Sequence, residues 1–106
     1  GMRVHFAHAT PGVEHFGNAI LVGGDLEVLG SSSAHLRGGS VVRTKEGREK
    51  QIVRGCLAVR LRRGDARLAV MATHWDHISG AERQRQASSL CELREDLSGG
   101  LPHVLC

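Results

Sequence analysis

Residues 52–73 read IVRGCLAVRLRRGDARLAVMAT, two β-rich runs on either side of Arg63-Gly64-Asp65. Gly-Asp is a close-turn pair, so the stretch predicts a β-hairpin. The turn also accounts for the Arg-Gly-Asp tripeptide without any adhesion role. In the first run Leu57, Val59 and Leu61 recur every second residue and share one face. In the second run both faces are apolar, with Leu68, Val70 and Ala72 on one side and Ala69 and Met71 on the other. That pattern predicts a central strand covered from both sides.

Downstream of the hairpin comes THWDHISG, residues 73–80, with two histidines and an aspartate within four positions. Ser79 with Glu82 three residues later is a capping-box signature, and Ala87, Leu90, Leu93 and Leu97 follow at helical spacing. A helix over about 80–97 is predicted, stopped by Gly99-Gly100 and packed on the sheet through those four residues. The segment PHVLC then predicts a strand near 103–106 in the same sheet as the hairpin. The cluster thus falls where a central strand meets a capped helix, a place where α/β proteins put chemistry.

Upstream the pattern is less regular. Residues 3–8 and 18–22 read as short strands, and His5 and His8, three apart, fall on opposite faces of the first, so they are not placed to share a metal. Between Gly23 and Gln51 the short apolar pieces LEVL and SVV interrupt Gly/Ser-rich and basic stretches, and predict strands of a ragged hairpin.

A chain of 106 residues is one domain at most, burying roughly two thirds of its unfolded surface. Phe6, Phe16 and Trp75 are its only aromatic residues, so the core must be aliphatic. The net charge of +3 is mild for a dedicated nucleic-acid binder. Arg37, Arg43, Lys45, Arg48, Lys50 and Arg54, set against Glu46 and Glu49, concentrate the basic excess in one stretch, which reads as a solvated loop or a surface that attracts phosphate. Cys56, Cys91 and Cys106 are odd in number and form no C-x-x-C pair; a disulfide framework and a structural zinc site are not indicated, and a reducing, intracellular setting is the simplest inference. No stretch reaches the roughly 20 apolar residues of a membrane span.

Three separated pieces carry a family resemblance. Phe16 to Leu21, FGNAIL, resembles a Y/F-G-N-A-I-L-S strand; Arg54 to Val59, RGCLAV, resembles an R-G-A-L-x-V strand; and THWDH with Arg83 and Gln86 resembles T-H-L-D-H…R-x-x-Q. All three are motifs of the endonuclease/exonuclease/phosphatase, or DNase I-like, superfamily, which also includes AP endonucleases, neutral sphingomyelinases and inositol phosphatases. The resemblance runs over most of residues 1–106. It implies an α+β fold, part of a four-layer α/β/β/α sandwich with a mainly antiparallel sheet and a packed helix. It further implies hydrolysis of a phosphodiester or phosphomonoester by an activated water, with Mg²⁺ as cofactor of the intact domain.

By the same resemblance His74 is the catalytic candidate, matching a phosphate-facing histidine that donates to a phosphate oxygen and is oriented by a carboxylate. Asn18, Asp76 and His77 are the substrate- or phosphate-proximal candidates, and Arg83 and Gln86 tie the helix to the sheet. The family's early Asn, metal-binding Glu, Gly-Asp-x-Asn motif and late Asp-His pair have no counterpart here. The expectation is therefore a single partial domain over 1–106, the central portion of the family domain truncated at both sides. Alone it would bind no metal, be inactive in isolation and be prone to self-association. The substrate would be a nucleic acid, a phospholipid or an inositol phosphate, and no residue in the chain selects among them.

Two other readings stand beside this one. THWDHISG also resembles the H-x-H-x-D-H-x-x-G motif of metallo-β-lactamase-like zinc hydrolases, although catalytic zinc needs three or more convergent ligands and only His74 occupies the first two ligand positions. A non-catalytic binding module is the third reading, with the basic 37–54 stretch in its favour.

Overall fold

The computed structural model describes residues 1–8 and 16–106. Its elements in chain order are β1 (Met2–His8), β2 (Gly17–Gly23), β3 (Glu27–His35), β4 (Val41–Arg43), β5 (Glu49–Gln51), β6 (Gly55–Arg63), β7 (Ala66–Thr73), α1 (Gly80–Ser98) and β8 (His103–Leu105). The principal sheet has the order β3-β6-β7-β8, antiparallel except for the parallel β7–β8 pair. β1 and β2 form a separate antiparallel ribbon, and β4 and β5 another. The chain is an α+β structure of mixed sheets and one helix.

The predicted hairpin is β6–β7. Arg63 pairs with Ala66 across Gly64-Asp65, and Gly64 has φ 59° while no described non-glycine residue has a positive φ. A positive φ at the first loop position alone is the pattern of a type II′ turn, which glycine adopts without strain. β7 lies between β6 and β8 and is covered on both faces, as its double-sided apolar pattern predicts. Met71 packs with Cys56, Ala58, Leu36, Leu90 and Leu97 under α1. Val70 and Ala72 pack on the other side with Leu57 and Val59 of β6 and with Ile20 and Val22 of the β1–β2 ribbon. Helix, principal sheet and ribbon therefore stack in that order.

Two sequence expectations are corrected. LEVL and SVV do not pair with each other. LEVL continues through Gly30-Ser31-Ser32-Ser33 as the nine-residue edge strand β3, held by its ladder to β6, while Val41–Arg43 pairs with Glu49–Gln51. A bulge between Val28 and Gly30 shifts the register, so that Val28 joins the ribbon side whereas Ala34 joins the helix side. Ala87 is exposed, and the buried face of α1 is Gln86, Ser89, Leu90, Leu97 and Ser98, with Leu93 half-buried. The helix is set so that Gln86 points inward, for a reason found in the adjoining loop.

The helix ends as its sequence dictates. The Ser79 side chain accepts from Glu82 N, and Gly99 closes the C-terminus in the left-handed region at φ 64°. The last turn carries no basic residue, but Arg60 of β6 donates to Leu97 O at 3.1 Å and to Ser32 Oγ at 2.9 Å, joining sheet and helix terminus.

Cys56 is buried and its thiol is pushed up to about 11 by desolvation, while Cys91 and Cys106 are exposed. Titration of the native chain with a disulfide reagent at pH 8 is expected to modify Cys91 and Cys106 rapidly and Cys56 only on denaturation. Equal rates at all three would contradict this packing.

Candidate functional site

The sequence candidates gather at one end of the principal sheet, where β6 begins and β7 ends. Cys56 pairs with Thr73 there, so Gly55 at the start of β6 lies beside the segment leaving β7. Gly55 O accepts from Thr73 Oγ1 at 2.8 Å and from Asn18 Nδ2 at 2.9 Å. Asn18 stands on the ribbon and Gly55 on the principal sheet, so this side chain ties the two layers at the edge of the site. His35 and His8 reach the same end: His35 pairs with Gly55, and its Nε2 lies 3.2 Å from His8 O.

Asp76 is the hub of the loop. It is buried, and its carboxylate accepts four hydrogen bonds: Oδ2 from Ser40 N at 2.7 Å, and Oδ1 from Ser40 Oγ, Ile78 N and Ser79 N at 2.8–2.9 Å. Burial opposes its ionisation, but the backbone N–H groups of Ser40, Ser79 and Ile78 and the Ser40 hydroxyl outweigh that and hold the carboxyl well below the usual carboxylate range. The main chain of Asp76 is fixed as well, with its N–H donating to Gln86 Oε1 at 2.8 Å and its carbonyl accepting from Arg83 Nη1 at 3.0 Å. Arg83 and Gln86 therefore tie the helix to this loop rather than to a strand, and Gln86 turns inward to do so.

The loop carrying Ser40 is clamped to the same place. Gly39 N donates to Glu82 Oε2 at 2.8 Å, and Ser40 O accepts from Ile52 N at 2.8 Å. Gly39 has φ 126°, and a Cβ there would sit 1.9 Å from Ile52 O, so only glycine fits this crossing. Here the capping box departs from its sequence pattern. Ser79 N, which Glu82 would normally satisfy, is taken by Asp76, and Glu82 is freed to hold the 38–40 loop.

This frame presents the two histidines. His74, immediately after β7, is exposed, and its side chain makes no hydrogen bond or ion pair to any described residue. No described carboxylate orients it, since Asp76 is committed elsewhere. His77 is exposed, and its Nδ1 lies 3.2 Å from Arg54 Nη2. An arginine can only donate, so Nδ1 accepts and the proton of the imidazole sits on Nε2. Trp75, between Asp76 and His74, packs half-buried against the core under the helix.

Arg54 was legible in sequence only as part of a basic run and of the RGCLAV strand. It is in fact 5% exposed, its guanidinium carbon lies 5.6 Å from the Phe16 ring centroid, and its Nε is buried without a hydrogen-bond partner. Ser40 was equally hidden, because nothing local marks a serine that will meet Asp76 36 residues later.

No three described His, Cys, Asp or Glu side chains converge in a way that could hold a metal ion. No described helix is long and apolar enough to cross a membrane. Comparison with family models, with curated proteins and with solved structures finds no match to this chain.

Proposed function

We propose that this chain carries the phosphate-facing portion of an Mg²⁺-dependent phosphoesterase of the endonuclease/exonuclease/phosphatase type. The substrate is a phosphodiester or phosphomonoester of a nucleic acid, a phospholipid or an inositol phosphate. The observation that carries the reading is His74, exposed and without a side-chain partner among the described residues, on a loop held by Asp76 at the end of the doubly covered strand, with Asn18 anchored alongside. An imidazole carried beside a fixed loop can donate to a phosphoryl oxygen and stabilise the charge that builds there in the transition state. Asp76 acts as a positioning residue in this scheme, and His77 and Asn18 line the same end of the sheet. Metal-holding and water-activating carboxylates belong to parts of the domain other than the residues described.

The stacked helix, sheet and ribbon support placing these residues within a four-layer α/β/β/α sandwich. Met2, Val4, Phe6 and Leu21 are exposed on the outer side of β1–β2, where a fourth layer would lie. Self-association of the chain through that surface is part of the same proposal. Commitment of the Asp76 carboxylate to four protein donors counts against the zinc-hydrolase alternative, which needs it as a ligand.

Assays with Mg²⁺ and bis(p-nitrophenyl) phosphate test the reading. Turnover abolished by a chelator is expected from a protein that joins these residues to the missing carboxylates. Almost none is expected from the 106 residues alone, because most of the rate comes from positioning all the groups together. Robust Mg²⁺-dependent turnover by the isolated chain would refute the partial-site reading. Tight stoichiometric Zn²⁺ binding lost on changing His74 or His77 would replace it with the zinc-hydrolase alternative.

A further inference from the structure

Arg54 poses a problem that the phosphoesterase reading does not use. A buried guanidinium ordinarily has a carboxylate beside it, because removing the charge from water is costly without compensation. The ion pairs among the described residues are Arg37–Glu92, Arg62–Glu27, Arg63–Asp25 and Arg85–Glu82, and Arg54 is in none of them. Its side-chain contacts among the described residues include the Phe16 ring, which takes one face of the cation, and His77 Nδ1, which takes one of five N–H donors. Nε has no partner. Asp76, in the adjoining loop, is saturated by four other donors and offers it nothing.

From this we infer that Arg54 and His77 form an anion site that takes a phosphate group. The forked planar donor set of arginine matches two oxygens of a tetrahedral anion, and a cation already stripped of water binds such an anion more strongly than a solvated one does. Accepting from Arg54 at Nδ1 forces the His77 proton onto Nε2, which makes that nitrogen a second donor on an exposed ring. Phe16 holds the guanidinium plane, so the donors are oriented in advance. Gly55, whose carbonyl fixes Asn18 and Thr73, follows Arg54 directly, which places the anion at the same sheet end as His74. His8 and His35 add further polarity there, and no unsatisfied described carboxylate opposes an anion in the cluster. This deepens the phosphoesterase reading by naming residues that hold the substrate phosphate, but the binding itself needs neither turnover nor metal.

The test is titration of the metal-free chain with inorganic phosphate at constant ionic strength, following the Arg54 Nε–Hε resonance by NMR together with the thermal midpoint. A saturable shift of that resonance and a rise in midpoint are expected. Arg54→Met should abolish both, while unfolding at or above the parental temperature because a buried charge with no described carboxylate partner has been removed. Arg54→Lys keeps the charge and loses the fork, and should weaken binding at least tenfold; His77→Ala should weaken it severalfold. Diethyl phosphate in place of phosphate separates a diester site from a monoester site. The inference is overturned if phosphate gives no saturable response, or if Arg54→Lys binds phosphate as the parent does, a result that stands even should Arg54→Met fail to fold. Phosphate binding by the chain, together with no Mg²⁺-dependent hydrolysis by a protein that joins these residues to the missing carboxylates, would leave the anion site and remove the phosphoesterase reading.

Discussion

Asp76→Ala is expected to destabilise the chain by about 3–5 kcal/mol, the range for deleting one partner of a buried charged network. Four donors, Ser40 N, Ser40 Oγ, Ile78 N and Ser79 N, would lose their acceptor at once. Small domains have only about 5–15 kcal/mol in total, so much of the population would unfold under mild denaturant. Asp76→Asn keeps one acceptor oxygen and turns an NH₂ toward the donors, and should cost about 2–3 kcal/mol. Urea denaturation followed by circular dichroism measures both, and a loss below about 1 kcal/mol for the alanine variant would disprove the role of hub. The pH dependence has a definite sign. A carboxyl depressed in the folded state stabilises it above the unfolded value, near 4, and that contribution is lost as pH falls from there toward the folded value. The parent should therefore lose stability more steeply than Asp76→Asn as pH falls below about 4, with the two curves parallel at neutral pH.

His74→Ala should have the opposite profile. In the proposed Mg²⁺-dependent phosphoesterase, kcat is expected to fall by about two to four orders of magnitude, the range for losing a donor to charge that builds in the transition state. KM should change little, since such a donor acts more strongly on the transition state than on bound substrate. Stability should be unaffected, because the ring is exposed and holds no described residue. Steady-state kinetics with a phosphodiester, alongside urea midpoints, make the comparison. A folded variant with parental turnover would remove His74 from the chemistry. Together the two substitutions separate the residue that builds the loop from the one it presents.

The sequence by itself determined the elements whose causes are local. Alternation of apolar residues made β6 and β7 strands, Gly64-Asp65 supplied the turn between them, and Ser79 and Gly99 bounded α1 to within a residue of its predicted span. The position of His74 at a strand end followed from the same boundaries. Tertiary structure alone decided the rest, because it depended on partners distant in the chain. Gly30-Ser31-Ser32-Ser33 is a loop by composition and a strand because β6 offers its ladder. Glu82 pairs across to Gly39 because Asp76 already holds Ser79 N. Ala87 faces solvent because Gln86 is drawn inward to Asp76 N, which rotates the buried face of the helix away from the simple leucine stripe. Arg54, one more basic residue in a polar run, became a buried cation only when Phe16 and His77 closed around it. Periodicity records which face of an element is apolar; it carries no record of which distant group will satisfy a buried charge, and at this sheet end that pairing decides the character of the site.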